Sequence, residues 1–161
     1  MTTLEAARAY VARGWSVLPL VPRTKRPAVQ LAPFLDGTQR IGPADFDRYW
    51  GVHLGEPYGV AIVCGRPSGG LVILDFDPRN GGDRATALDY PTTPRVSTGG
   101  GGFHLYCQGT AGVVTKGKTC LPGVDRQGEG SYVVAPPSRH PSGELYLWDV
   151  FDVPLYPLEE W

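Results

Sequence analysis

The segment Leu71-Val72-Ile73-Leu74-Asp75-Phe76-Asp77-Pro78 constrains this chain most, because it reads as a strand buried on both faces that ends in two carboxylates. Side chains alternate along a strand, so Val72, Leu74 and Phe76 take one face while Leu71 and Ile73 share the other with Asp75 and Asp77. Apolar residues on both faces demand a covering layer on each side of the sheet. Asp75 and Asp77 project together, roughly 7 Å apart along the backbone. Like charges so placed raise each other's pKa unless a cation or donor compensates. A hard, oxygen-liganded ion such as Mg²⁺ or Mn²⁺ supplies that compensation. The same residues also suit a plainer reading, in which Asp77 before Pro78 caps a turn and Asp75 is solvated.

A chain of 161 residues suits one domain, with room for two lobes. No apolar run approaches the roughly 20 residues of a membrane span and no signal-peptide pattern opens the chain, so a cytoplasmic location is expected. The 22 glycines and 16 prolines exceed average usage and predict short elements joined by shaped turns. Cys64, Cys107 and Cys120 are widely spaced without a CxxC, which predicts free thiols and no structural zinc. Net charge is −1, with 7 Lys/Arg against 4 Asp/Glu in residues 1–48 and 0 against 5 in residues 144–161. Whole-molecule attraction to a polyanion is thereby excluded, and any such site must be local, built from a few cations and backbone donors.

Along the chain, Thr3 is placed to cap a helix carrying Leu4, Ala7 and Val11, which Gly14 ends. Trp15–Leu20 reads as a strand, Val21–Pro27 as an exposed basic loop, and Pro43–Trp50 as a short helix with Phe46 and Tyr49 or Trp50 inward. Tyr58–Cys64 and Leu71–Asp77 are strands whose glycine-rich linker suits a hairpin. A short helix is expected at Asp83–Leu88. Strands follow at Val96–Thr98, Phe103–Gln108, Tyr132–Ala135 and Glu144–Trp148. Helices in front of several strands predict an α+β fold with a mixed or antiparallel sheet and flanking helices.

Three further constellations carry chemistry. In Thr98-Gly99-Gly100-Gly101-Gly102-Phe103-His104, glycines let consecutive amides aim at one anion, and His104 stands ready to donate to it; a flexible hairpin loop is the alternative. Asp125, in Gly123-Val124-Asp125-Arg126, either completes an acidic triad or forms a surface salt bridge. Ser138-Arg139-His140, leaving a strand through Pro136-Pro137, presents a hydroxyl, a guanidinium and an imidazole in succession, suited to phosphate or to solvent. Lys25 and Arg26 are candidates for nucleic-acid contact, with solubilising charge as the alternative.

Taken in order, Leu74-Asp75-Phe76-Asp77, Thr98 to His104 with Leu105-Tyr106, and Gly123-Val124-Asp125-Arg126 leading to Tyr132 through Ser138 resemble the Prim-Pol domain, the bifunctional DNA primase/polymerase N-terminal family of the archaeo-eukaryotic primase superfamily. The likeness runs from Gly14-Trp15 through Lys25-Arg26-Pro27 to Tyr146-Leu147-Trp148. It implies an archaeo-eukaryotic primase-like core with an RRM-like catalytic lobe over residues 1–148. Residues 149–161 then become an acidic tail starting a linker to a missing C-terminal helicase region. It implies a primase-polymerase of phage or plasmid replication, acting on single-stranded DNA template, primer and NTP or dNTP with two Mg²⁺ or Mn²⁺ ions. Asp75, Asp77 and Asp125 match the metal-binding triad, and His104 matches a histidine contacting the incoming phosphates. Thr98, Gly100, Gly101, Gly102, Ser138, Arg139 and His140 fall where nucleotide contacts are made. A two-metal nuclease and a catalytically silent nucleic-acid-binding or helicase-docking module are the alternatives. The family's inserted zinc-binding segment and helical extension are lacking here, which separates primer extension from primer initiation as expectations.

Overall fold

In a computed structural model of the chain, residues 1–161 are described except 53–54, 84–86, 111, 113 and 159–161. The first helix, α1 (Thr3–Ala12), is set by a reciprocal cap: Thr2 Oγ1 accepts from the Glu5 amide at 3.2 Å and Glu5 Oε2 accepts from the Thr2 amide at 2.7 Å. The cap is Thr2 rather than Thr3, because Thr2 is the residue with extended backbone before the first turn. Gly14, at φ +84°, ends the helix as expected. Ala6, Ala7 and Tyr10 form its buried face, with Leu4 and Val11 at the margin.

Three antiparallel strands make the first sheet, in the order β1 (Val17–Leu20), β2 (Gly59–Val63), β8 (Tyr132–Ala135). The second sheet runs β6 (Gly117–Lys118), β7 (Val124–Gln127), β3 (Leu71–Phe76), β5 (Phe103–Gly109), β4 (Arg95–Ser97), β9 (Leu147–Val150), all antiparallel. A last strand, β10 (Tyr156–Leu158), pairs parallel with β5. Two short helices, α2 (Ala32–Leu35) and α3 (Phe46–Trp50), complete an α+β fold. Alternation along β3 holds: Leu71 and Ile73 join the main cluster with the first sheet, α1 and α3, while Val72, Leu74 and Phe76 join a smaller cluster with Phe103, Leu105 and Val124. The Tyr10 hydroxyl donates to the Pro136 carbonyl at 2.5 Å beyond β8 and accepts from the Trp148 indole at 2.8 Å in β9, so one buried side chain ties helix and both sheets.

Two expectations are corrected. β2 and β3 are not a hairpin, because β1 and β8 already fill both edges of β2. Between them, Gly65, Gly69 and Gly70 at positive φ and a tight turn at Arg66–Ser68 carry the chain from one sheet to the other. The Ser68 hydroxyl anchors that turn, donating to the Val63 carbonyl and accepting from the Ser16 amide. Nor does the domain stop at residue 148. Phe151 and Leu155 pack on the main cluster, Leu158 is buried, and Arg13 donates to the carbonyls of Phe151 and Val153 at 2.6 and 2.9 Å. Of the expected helix at 83–88, residues 84–86 lie outside the described residues; Ala87 and Leu88 are helical, and Ala87 is buried in the smaller cluster.

Candidate active site

Strand register brings together what the sequence keeps apart. Asp75 of β3 stands opposite Asp125 of β7 on one side and opposite His104 of β5 on the other. Directly opposed residues of antiparallel strands share a face, with Cβ atoms about 4.5–5.5 Å apart. The row Asp125, Asp75, His104 therefore crosses three strands. Asp77 follows the end of β3, where its amide donates to the Gly123 carbonyl at 2.8 Å and keeps it beside the start of β7. With Asp75 it lines a hollow of about 80 Å³, and with Asp125 another of about 230 Å³. A third, of about 180 Å³, runs from Asp75 and His104 to Tyr132, Val133 and Val134 of β8, where the two sheets part.

Each carboxylate already has a cationic neighbour. Burial pushes the Asp75 carboxyl up, but the hydrogen bond from His104 and the charges of His104 and Lys25 together hold it below the usual range. Hydrogen bonding from the Arg79 side chain holds Asp77 low as well. Lys118 Nζ lies 2.8 Å from Asp125 Oδ1. A carboxyl whose pKa is depressed on folding stabilises the fold above its unfolded value of about 3.9, and that contribution disappears as pH falls through the depressed value. Stability measured by urea unfolding should therefore decline between about pH 5 and about pH 2, and Asp75→Asn should decline less steeply. An equal slope in the variant would count against the Asp75–His104 interaction.

His104 is nearly enclosed, its side chain 8% exposed, with Nε2 3.5 Å from Asp75 Oδ1. Its Nδ1 is buried without a hydrogen-bond partner among the described residues. The Tyr146 ring lies 6.2 Å from the His104 ring and 6.0 Å from that of His140, linking the two histidines. Burial pushes the Tyr146 hydroxyl up to about 12, so it is a neutral donor at neutral pH.

The glycine loop is tighter than a free anion nest. Gly102 donates to Thr98 Oγ1 at 2.9 Å and Gly101 donates to the Thr98 carbonyl at 3.0 Å, so two of the expected amides serve the turn itself. Gly100 lines the hollow that holds Asp75 and Asp77. Glycine is required at Gly99 for space, since a Cβ there would fall 2.3 Å from His140 Cβ and 2.9 Å from the Glu144 carbonyl. The Pro136–Gly143 turn is thus seated on the glycine loop, and His140 is carried to the hollow that holds Asp75, Asp77 and Gly100. Burial, then Lys25 and Arg79, lower the His140 pKa, and its Nδ1 accepts from the Ser142 amide at 3.0 Å, leaving Nε2 as the free edge.

Ser138 and Arg139 are directed elsewhere, which corrects their assignment as nucleotide contacts. The Ser138 hydroxyl is buried, accepting from the Val60 amide at 2.8 Å and donating to the Val60 carbonyl at 2.9 Å, a side-chain extension of the first sheet. Arg139 donates to the Gly143 carbonyl at 2.7 Å and lines a separate hollow of about 340 Å³ with Arg23, Glu56 and Tyr58. Ser138→Ala should lower unfolding stability by about 1–3 kcal/mol, read by urea titration, while leaving nucleotide affinity unchanged. An unaltered midpoint would contradict the bridging role. Lys25 lines both hollows that contain Asp75 and His104, whereas Arg26 lines neither. Sequence reasoning missed Arg79, Tyr146, Gln127 and Lys118. Arg79 alone had a local signal, lying two residues after Asp77 in a turn.

As metal ligands, the three aspartates offer hard oxygen donors of the kind Mg²⁺ and Mn²⁺ prefer, on neighbouring positions of one sheet end. The cationic side chains gathered on them show that this acidic patch attracts positive charge. Among the described residues no three of His, Cys, Asp or Glu are closed into a ready metal set, so ligation requires the carboxylates to turn from their present partners. All three thiols are free. No helix of the described residues is long and apolar enough to cross a membrane.

A family model, Prim-Pol, described as bifunctional DNA primase/polymerase, N-terminal, matches residues 7–161. No curated protein matches the chain.

Proposed function

We propose that this chain, which belongs to the Prim-Pol family of bifunctional DNA primase/polymerase N-terminal domains, makes or extends primers on a DNA template by nucleotidyl transfer. Asp75, Asp77 and Asp125 would hold two divalent ions. The observation that carries this reading is the register that sets Asp125, Asp75 and His104 in one row, with Asp75, Asp77 and His104 lining a hollow edged by Gly100, Lys25 and His140. Carboxylates for cations and donors for phosphates thus share one wall, as joining a triphosphate to a hydroxyl requires. A hydrolase acting on a phosphodiester needs no cradle for the β- and γ-phosphates of a triphosphate.

In the reaction, a primer 3′-hydroxyl attacks the α-phosphate of a nucleoside triphosphate and pyrophosphate leaves. The ions, when bound, would favour the deprotonated hydroxyl and offset charge on the leaving group. Asp75 would be the central ligand, because Asp125 and Asp77 flank it. His104, beside it on β5, orients the Asp75 carboxylate. Lys25 and the Nε2 edge of His140 line the same hollow and would orient the β- and γ-phosphates, together with the Gly100 amide. Tyr132 and Val134 of β8 wall the cleft between the sheets, giving the nucleotide's apolar surface a place to rest.

The test is incubation of a labelled primer-template with Mn²⁺ or Mg²⁺, with and without ribo- and deoxyribonucleotides, beside a primer-free single-stranded template. Nucleotide-dependent lengthening supports the proposal. Shortening of the primer without nucleotides would make the chain a nuclease, and metal-independent binding with neither outcome would make it a docking module.

A further inference from the structure

Asp77 is saturated. Its Oδ1 accepts from the Arg79 amide at 3.0 Å and from Arg79 Nε at 3.1 Å; its Oδ2 accepts from Arg79 Nη2 at 3.2 Å and Asn80 Nδ2 at 2.9 Å. An ionised carboxylate has about four lone-pair sites, so four donors leave no position for a cation. Three of the four come from Arg79. Its side chain is 80% exposed, and exposed pairs of this kind are weak, so the guanidinium is the donor that can leave. It has a place to go, because Arg79 lines the same hollow as Lys25, Gly100 and His140. A planar fork freed there matches the paired oxygens of a phosphate.

We infer that Arg79 is a placeholder that moves: it occupies Asp77 while no divalent ion is bound, and passes to the incoming triphosphate when an ion takes that carboxylate. The inference rests on the reading of Asp77 as an ion ligand. It gives one side chain two effects of opposite sign. Without the guanidinium, the ion meets a carboxylate with two of its four positions open and one fewer positive charge, so it binds more tightly; the triphosphate loses a bidentate partner and binds more weakly. A side chain that only shaped the Pro78–Asn80 turn would weaken both or neither.

Calorimetry separates these possibilities. Mn²⁺ is titrated into the wild type, Arg79→Ala, Arg79→Lys and Asp75→Asn, and then ATP and dATP are titrated at saturating Mn²⁺, with circular dichroism confirming the fold. Arg79→Ala should bind Mn²⁺ about three- to tenfold more tightly and the better of ATP and dATP at least about tenfold more weakly. Arg79→Lys should return Mn²⁺ affinity towards the wild type while leaving triphosphate affinity low, because a lysine restores charge without the fork. Equal or weaker Mn²⁺ binding by Arg79→Ala overturns the placeholder, and unchanged triphosphate binding overturns the transfer. If the wild type binds no Mn²⁺, or Asp75→Asn binds it equally well, it is the underlying assignment of the metal site that fails.

Discussion

Asp75→Asn should reduce primer extension by about a thousandfold or more while the protein stays folded. Asp75 is the residue on which the site converges: Asp125 and His104 oppose it across the two adjacent strands, and Asp77 shares its hollow. Asparagine keeps the shape and one oxygen but removes the charge that balances a divalent ion. The cost to the fold is small, since the side chain is 35% exposed and belongs to neither apolar cluster. A urea midpoint displaced by no more than about 1 kcal/mol is therefore expected, within the range of ordinary single substitutions. Asp36→Asn serves as control, because Asp36 is exposed and its side chain accepts from nearby Thr38. Adding Asp125→Asn should lower the rate little further, since residues acting as one unit do not contribute additively. Extension by folded Asp75→Asn near the wild-type rate would remove the catalytic assignment altogether.

Why Asp75 was legible and its partners were not is a matter of periodicity and register. The alternation of Leu71 to Phe76 has a period of two, a property of the strand itself, so the two faces and the acids at its mouth follow from the sequence. The spacing of Asp77 after Asp75 does as well. Which strands lie beside β3 depends on loops between residues distant in the chain. The meeting of Asp75 with Asp125 was thus reached through resemblance to a family, and with the structure it has a geometric basis in the β3–β7 register.

The failures share a cause. Ser138, Arg139 and His140 look equivalent as three polar residues in a row, but a turn points successive side chains in different directions. Ser138 is drawn inward to Val60, Arg139 outward to Gly143, and only His140 towards the acids. The glycine run was overread for a related reason: glycine permits an anion nest but does not prevent the loop from using its own amides, as Gly101 and Gly102 do with Thr98. The tail looked like a linker by composition, yet Phe151, Leu155 and Leu158 find apolar partners that no local pattern discloses.

His104→Ala is the second large expected effect, and the geometry changes its kind. By family resemblance this histidine contacts the incoming phosphates, which predicts mainly weaker nucleotide binding. In the fold it is nearly enclosed, and the nitrogen facing the site, Nε2, points at Asp75 Oδ1 from 3.5 Å. Its removal takes away the hydrogen bond and charge that hold Asp75 ionised and oriented. Groups that orient a metal ligand are commonly worth about 10- to 100-fold in metal affinity or activity. Mn²⁺ affinity measured without any nucleotide should therefore drop about tenfold in His104→Ala, and extension should fall by about a hundredfold. His104→Gln, able to donate one hydrogen bond to Asp75, should recover part of the Mn²⁺ affinity. If His104→Ala binds Mn²⁺ like the wild type and loses only nucleotide affinity, His104 acts on the phosphates directly, and Asp75 is positioned by its strand alone.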